Sequence, residues 1–307
     1  MSHFAQGPAT LVLQDVVRVY FSCRPVADAS GQYVSYSSFV DLDRKNLQHI
    51  KKLAEDPILP LGELGTFDEF GVYPVSVIKH EGRLLAYYGG WTRCESIPFT
   101  VSIGIAESFD GGTTFERQGP GPVLTADSQE PFVISGPKIR RFNGMWHLWY
   151  VAVTRWQSVN GNAEAVYKIR HAVSYDGISW LRDHRDSIES VLEVDECQAS
   201  PDVIHVDGRY HMFFCYKYST DFRGNDRGYR IGYAYSDDLI SWHRRDEAVG
   251  LAFSIDEWDS QAAGYPHVFE LDGNVHMLYI GNDFGKYGFG LASMSLDQFT
   301  LTANKLL

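Results

Sequence analysis

The sequence has little that would suit a nucleic-acid partner, a membrane or a disulfide framework. Basic residues are few: 27 Lys and Arg stand against 39 Asp and Glu, a formal net charge of −12. A nucleic-acid binder wants a basic surface, so that class is excluded. No stretch approaches the ~18 consecutive apolar residues of a bilayer span, so no membrane segment is expected. The opening MSHFAQGPAT lacks a basic-then-apolar leader pattern. The four cysteines, Cys23, Cys94, Cys197 and Cys215, form no CxxC pair. They read as reduced thiols of a cytoplasmic protein. Cys197 has no evident base, cation or helix terminus to activate it as a nucleophile. Helix-period stretches are scarce as well. Residues 41–57, DLDRKNLQHIKKLAEDP, suit either a short helix or an outer strand and linker.

What is present is apolar and aromatic. Hydrophobic residues make up 44% of the 307, enough for a substantial core, and aromatics at 14% favour strands. One pattern occurs five times. GPATLVLQDVVRVYFSCR, VYPVSVIKHEGRLLAYYGG, SGPKIRRFNGMWHLWYVA, ECQASPDVIHVDGRYHMFFCY and GYPHVFELDGNVHMLYIG are anchored on Pro8, Pro74, Pro137, Pro201 and Pro266. Successive prolines lie 66, 63, 64 and 65 residues apart, so the repeat covers 1–307 as a single domain. In each copy a proline opens a short strand, as befits a residue that cannot donate to a ladder. A turn such as HEGR, FNGM, VDGR or LDGN follows, and an aromatic strand returns. The first copy has Gln14-Asp15 where the others have glycine, which leaves its turn the least defined.

A third element recurs downstream as IGIAESFDGGTTF, IRHAVSYDGISW and IGYAYSDDLISW, with weaker copies at YVSYSSFVDLD and GFGLASMSLDQF. Asp110, Asp176 and Asp238 in these segments read as turn caps. A fourth strand per unit fits the spacing, with FTLTANKLL (299–307) finishing the last unit. With so few residues before Gly7, little strand is expected ahead of the first proline. Repeated antiparallel four-stranded units predict an all-β fold, a five-bladed β-propeller around a central funnel.

The repeat, together with its A-x-S-x-D-G-x-x-W continuation, resembles the five-bladed propellers of glycoside hydrolase families 43, 32, 68 and 130, over all five units. SFDGGTTF (108–115) is similar to the Asp-box turn of sialidase-type propellers. The resemblance implies chemistry in the central funnel, with carboxylates from different blades acting as proton donor and as nucleophile or base. In families 43 and 32 an Asp directly precedes the strand-opening proline in some blades, and a Glu in an E-C-P or E-G-P setting serves the fourth. Here the residues before the prolines are Gly7, Tyr73, Gly136, Ser200 and Tyr265, none acidic, and ECQASP carries three residues between Cys197 and Pro201. The family's acid role maps onto Glu196, while its two Asp positions have no counterpart.

Carboxylates do occur slightly upstream of the inner strands: Asp68, Glu69, Asp195, Glu196 and Asp259. Of these, Asp68, Glu69, Glu196 and Asp259 are the catalytic candidates, the alternative being that they cap rim loops. The residues after the prolines include Lys138, Asp202 and His267, which predict a charged cluster at the funnel floor, either an ion-pair plug or a proton-transfer site that adds Asp202 to the catalytic candidates. Arg93 and Arg155, at matching repeat positions, and Arg223 in the next blade suit carboxylate or phosphate recognition. Trp91 beside Arg93, Tyr73 and Asn282 complete the candidate binding set with Lys138 and His267. No metal or other cofactor is expected, since no metal-like ligand spacing occurs. Two functions follow: a glycosidase or glycoside phosphorylase acting on an anionic or phosphorylated sugar, or a propeller that binds a glycan or nucleotide sugar without cleaving it.

Overall fold

The computed structural model describes residues 3–29, 31–223 and 227–304. Its strands form five antiparallel sheets in chain order. Blade 1 comprises β1 (His3–Val12), β2 (Val16–Arg24), β3 (Tyr36–Asp43) and β4 (Asn46–Leu53). Blade 2 comprises β5 (Gly71–His80), β6 (Arg83–Arg93), β7 (Phe99–Ser108) and β8 (Glu116–Arg117). Blade 3 comprises β9 (Ile134–Phe142), β10 (Met145–Val159), β11 (Asn162–Ser174) and β12 (Leu181–Arg182). Blade 4 comprises β13 (Glu196–Val206), β14 (Arg209–Tyr218), β15 (Arg230–Ser236) and β16 (His243–Arg244). Blade 5 has three strands, β17 (Gly264–Leu271), β18 (Asn274–Ile280) and β19 (Phe289–Ser295), with a helical turn α1 (Asn282–Gly285) and a terminal helix α2 (Leu296–Asn304). The fold is the expected five-bladed propeller.

Hairpin turns join the first two strands of each blade. In four blades the two turn residues both have positive φ: Glu81-Gly82, Asn143-Gly144, Asp207-Gly208 and Asp272-Gly273. That is the turn whose twist matches paired strands, and its second position favours glycine because a Cβ would be strained there. Ser108, Ser174 and Ser236 open the Asp-box turns after the third strands. In each, the aspartate caps the turn: Asp176 Oδ1 accepts from the backbone N–H of Ile178 and Ser179, each at 2.8 Å, and Asp238 Oδ1 from Ile240 and Ser241 at 2.8 and 2.7 Å. Tyr20 and Tyr87, from the preceding blades, donate to the Gly112 and Gly177 carbonyls at 2.8 and 2.7 Å, which locks blade to blade.

The core lies between blades. Ala9, Leu11 and Tyr20 of blade 1 pack on Val72, Val75 and Tyr88 of blade 2. Corresponding clusters fill the next three gaps. The ring closes where Val17, Val19 and Phe21 of blade 1 meet Phe269, Leu271 and Leu278 of blade 5. Each such side chain contributes about 1.5–3 kcal/mol by leaving water. Arg44 reinforces the seam with a forked pair to Asp272, at 2.7 and 3.2 Å.

Two expectations change, at the two ends of the chain, and two open readings resolve. The segment Leu296–Asn304 is a helix where an outermost strand was expected; Phe299 fills the groove between blades 4 and 5 beside Phe213 and Tyr233, so apolar burial replaces ladder bonding, and 305–307 lie outside the described residues. The N-terminus contributes a full inner strand from His3. Residues 46–53 form the exposed outer strand of blade 1. The turn at Gln14-Asp15 is closed by Leu13 N–H donating to the Val16 carbonyl at 2.9 Å. GNDRGYR, expected as a hairpin turn, falls in part on 224–226, outside the described residues.

Candidate functional site

Every inner strand is bulged at its proline. The pairing register slips between Gln6 and Ala9, Val72 and Val75, Ala199 and Asp202, and Gly264 and His267, and opposite Trp149 and Val151 in blade 3. A bulge inserts an unpaired residue and re-aims side chains. Gly7, Gly136, Ser200 and Tyr265 sit there at φ between 49° and 60°, and the peptide before Pro74 is cis. All five residues preceding the prolines are partly exposed, while those following them are buried. The two layers are therefore a wall and a floor.

The floor is the charged cluster expected from the residues after the prolines. Lys138 Nζ reaches His267 Nδ1 at 3.0 Å and Asp202 Oδ2 at 3.5 Å, joining blades 3, 4 and 5. His267 Nε2 accepts the Thr10 backbone N–H at 2.9 Å, so its other nitrogen carries the ring proton and donates it to Asp202 Oδ2 at 2.6 Å. Arg140 pairs with the second Asp202 oxygen, and Val203 and Val268 N–H groups donate to the same carboxylate at 2.9 Å each. Burial pushes Lys138 down to about 8 and His267 down to about 4. Burial alone would raise Asp202, but Arg140, Lys138 and His267 hold it well below the usual range. One carboxylate thus anchors two cations and an imidazole.

The wall is tyrosine and glycine. Tyr73 and Tyr265 flank blade 1, which offers only Gly7; a Cβ there would meet Pro74 Cβ at 3.0 Å. Tyr229 lies 5.4 Å from the Tyr265 ring, and its hydroxyl is 2.5 Å from that of Tyr167. Lys217 is buried beneath Phe222, its Nζ 3.1 Å from the ring centre, and burial lowers it to about 8.

The upstream acids occupy a repeated clamp. In blade 2, Asp68 accepts Arg117 Nε at 2.7 Å and the Tyr88 hydroxyl at 3.0 Å. In blade 3, Glu130 accepts Arg182 at 2.9 Å and the Tyr150 hydroxyl at 3.0 Å. In blade 4, Glu196 accepts Arg244 at 2.7 Å, Gln198 at 2.7 Å, and the backbone N–H of Val191 and Leu192 at 3.0 and 3.2 Å. In blade 5, Asp259 accepts the Tyr279 hydroxyl at 2.8 Å and pairs with Ser254. Each arginine also donates to a carbonyl of the incoming loop: Arg117 to Pro60, Arg182 to Thr125, Arg244 to Glu189. The clamp ties that loop to the outermost strand. All four acids are buried. Burial raises Glu196, but Gln198, the Val191 amide and Arg244 outweigh it, so its pKa lies below the ordinary value and it is ionised at neutral pH.

The remaining candidates are dispersed. Glu69 is half-buried and accepts the Gly65 N–H at 2.9 Å, with no arginine partner among the described residues. Arg93 donates to the Tyr33 carbonyl at 3.1 Å, lies 3.6 Å from Asp28 and stacks on Phe70. Arg155 pairs with Asp195, and Arg223 with Glu164 at 2.9 Å, both on exposed rim. Trp91 packs among Phe70 and Phe99. Asn282 pins a loop, its Oδ1 accepting from Gln261 and Ala262 N–H at 2.8 and 3.0 Å. No hydrogen bond or ion pair among the described residues joins any two of Asp68, Glu69, Glu196 and Asp259. Among these residues no cluster of His, Cys, Asp and Glu is placed to hold a metal ion, and no helix is long and apolar enough to cross a membrane.

Sequence reasoning missed Glu130 and the clamp arginines. The signal was available: Phe115-Glu116-Arg117, Trp180-Leu181-Arg182 and Trp242-His243-Arg244 repeat an aromatic-x-Arg pattern, and Glu130 precedes its proline by as many residues as Asp259 does.

No family model matches the chain. It is 33% identical over 291 residues, 95% of its length and 92% of the relative's, to uncharacterized protein MT1551 of Mycobacterium tuberculosis strain CDC 1551 / Oshkosh, and equally to uncharacterized protein Rv1502 of strain H37Rv. Among solved structures it is similar to a glycoside hydrolase (TM-score 0.74, 15% identity, 95% of this chain and 87% of that one). A thermostable family-43 glycoside hydrolase gives TM-score 0.67 at 16% identity over 90% and 83% of the two chains. A member of the GH130 family of mannoside phosphorylases and glycoside hydrolases gives 0.69 at 14% identity over 96% and 85%. At such identities these likenesses establish the shared propeller fold.

Proposed function

We propose a carbohydrate-directed, glycoside hydrolase-like function for this chain, which belongs to the same family as uncharacterized protein MT1551 of Mycobacterium tuberculosis. A sugar enters the funnel and stacks on Tyr73 and Tyr265. The observation that carries this reading is the bulge before each proline, which presents two tyrosines, Ser200 and two glycines, partly exposed, above a closed polar floor. Aromatic faces with a few polar groups suit a sugar ring. Solved propellers of this fold are glycoside hydrolases, which supports the ligand class. The finer reading is an anionic or phosphorylated sugar, held by cations at the mouth.

The geometry favours recognition over two-carboxylate hydrolysis. Asp68, Glu196 and Asp259 are engaged inside the blades, and an ionised, arginine-bound Glu196 has no proton to donate at neutral pH. The cleavage reading has its own support in Glu69, a half-buried carboxylate without a cation, and in Asp195 on the open rim. Calorimetry against a panel of glycans and sugar phosphates, followed by analysis of the recovered ligand, separates the two. Saturable binding with the ligand intact is expected. Hydrolysis, or cleavage that requires inorganic phosphate, would refute pure recognition, and absence of binding across the panel would sink both.

A further inference from the structure

We infer that Arg24 is the anion-recognising residue of the funnel, reading a carboxylate or phosphate on the bound sugar. This rests on the sugar-binding reading above and adds the ligand's charge. Arg24 ends β2, the second strand of blade 1, and is half-buried. Its guanidinium carbon lies 5.8 Å from the centre of the Tyr73 ring and 6.0 Å from that of Phe4. Tyr265 is near enough to feel it: burial and Tyr73 raise that phenol, and the Arg24 charge draws it back. Residues of blades 1, 2 and 5 therefore converge around Arg24.

Arg24 differs from the rim arginines in having no counter-charge. Arg93 faces Asp28, Arg155 binds Asp195, Arg223 binds Glu164, and the clamp arginines bind Asp68, Glu130 and Glu196. Among the described residues Arg24 has neither a carboxylate partner nor a hydrogen bond, only the two ring faces. Its partly exposed donors face solvent and are open to an incoming acceptor. Its fork matches the two oxygens of a carboxylate or phosphate, and the tyrosine beneath it restricts its rotation. The floor is cationic in the same sense: two cations, Lys138 and Arg140, share the single carboxylate of Asp202. In a chain of net charge −12, a cation without a counter-charge among the described residues opposes the overall field and favours an anionic ligand.

The test uses the full chain and three probes, glucuronate, glucose 6-phosphate and glucose, titrated by saturation-transfer NMR at neutral pH. One charged sugar is expected to bind at least about tenfold tighter than glucose, the gain typical of a charge-assisted bond. Which of the two does so tells carboxylate from phosphate. Arg24→Gln should abolish that preference without weakening glucose, and Arg24→Lys should restore part of it. Equal binding of all three sugars, or a preference that survives Arg24→Gln, overturns the role of Arg24 while leaving the funnel reading intact. Glucose binding unchanged by Tyr265→Ala, or no binding of any probe, removes the funnel reading and this inference with it.

Discussion

Substituting Glu196 by Gln should destabilise the protein before it affects any chemistry. All four acceptor positions of the carboxylate face donors: Oε1 takes Arg244 and Gln198, Oε2 takes the Val191 and Leu192 amides. An amide must turn its NH2 group towards one of these donor pairs, whichever way it flips, so two bonds are lost. Arg244 also loses its buried partner; its side chain is 7% exposed, and Asp246 at 2.8 Å then answers the charge alone. Breaking a buried pair costs roughly 3–5 kcal/mol, and the surviving Asp246 contact places the expectation at the lower end, about 3 kcal/mol. A chain of 307 residues has an unfolding entropy of roughly 0.6 kcal/mol per degree, so the midpoint should fall by about 5 °C. Differential scanning calorimetry measures this directly. Turnover or binding per folded molecule, taken well below the midpoint, should remain within about twofold. A midpoint within a degree of wild type, with activity lowered by the 10²–10⁴-fold typical of a lost acid or base, would show that Glu196 serves chemistry and that the clamp argument is wrong.

Other expectations follow from the same geometry. Asp202→Asn leaves Lys138, Arg140 and His267 without their carboxylate and should cost about 3–5 kcal/mol in urea unfolding, whereas Lys138→Met, which removes a cation, should cost less; equal losses would contradict a cation-rich floor. Burial lowers His171 to about 3 and His211 to about 4, so in the native state both stay neutral where the unfolded chain takes up protons. The unfolded state then binds more protons below its own pKa of about 6.5, and stability should fall as the pH drops from there towards 4. His171→Phe should flatten that decline by about 3 kcal/mol between pH 6.5 and 4; an unchanged slope would mean the ring is not buried neutral. Tyr73→Ala should weaken sugar binding about tenfold with little change in midpoint, because the residue is partly exposed; a large loss of stability with unaltered binding would place it in the core instead.

Much of the fold was legible because its determinants are local. Proline at a strand start, Asn-Gly or Asp-Gly at a hairpin and Ser-x-Asp at an Asp-box turn each fix a short backbone segment, and their spacing gives the number of blades. The last outer strand was not legible. Nothing in FTLTANKLL distinguishes a ladder strand from a helix by pattern alone, and the outcome turns on Phe299 finding a groove between blades 4 and 5. The floor was foreseen as a group because Lys138, Asp202 and His267 share one repeat position, and equivalent positions in a ring must meet at its axis. Three of the four clamp acids were recognised, but their partners lie on outermost strands 48 or 49 residues away in blades 2 and 4, a separation that hides the pairing.

The clamp and the bulge divide labour within each blade: the clamp holds the scaffold, and the bulge places the residue that stands before the proline. In blades 2, 3 and 4 the clamp binds the incoming loop to the outer strand through a buried acid and an arginine, with a tyrosine added in blades 2 and 3, while in blade 5 Tyr279 and Ser254 hold Asp259. Disturbing it costs the whole blade. The bulged residue before the proline is held by its neighbours' backbone pairing and is partly exposed. In blades 1 and 3 it is glycine, in blade 4 serine, in blades 2 and 5 tyrosine. Such positions can exchange a carboxylate for an aromatic ring at small expense to stability, since no buried partner is left unanswered. A propeller built this way engages its scaffold acids inside the blades and leaves the residues before the prolines partly exposed. In this chain those residues include Tyr73 and Tyr265, with Arg24 beside Tyr73, and the proposed sugar site rests on their ring faces and that charge.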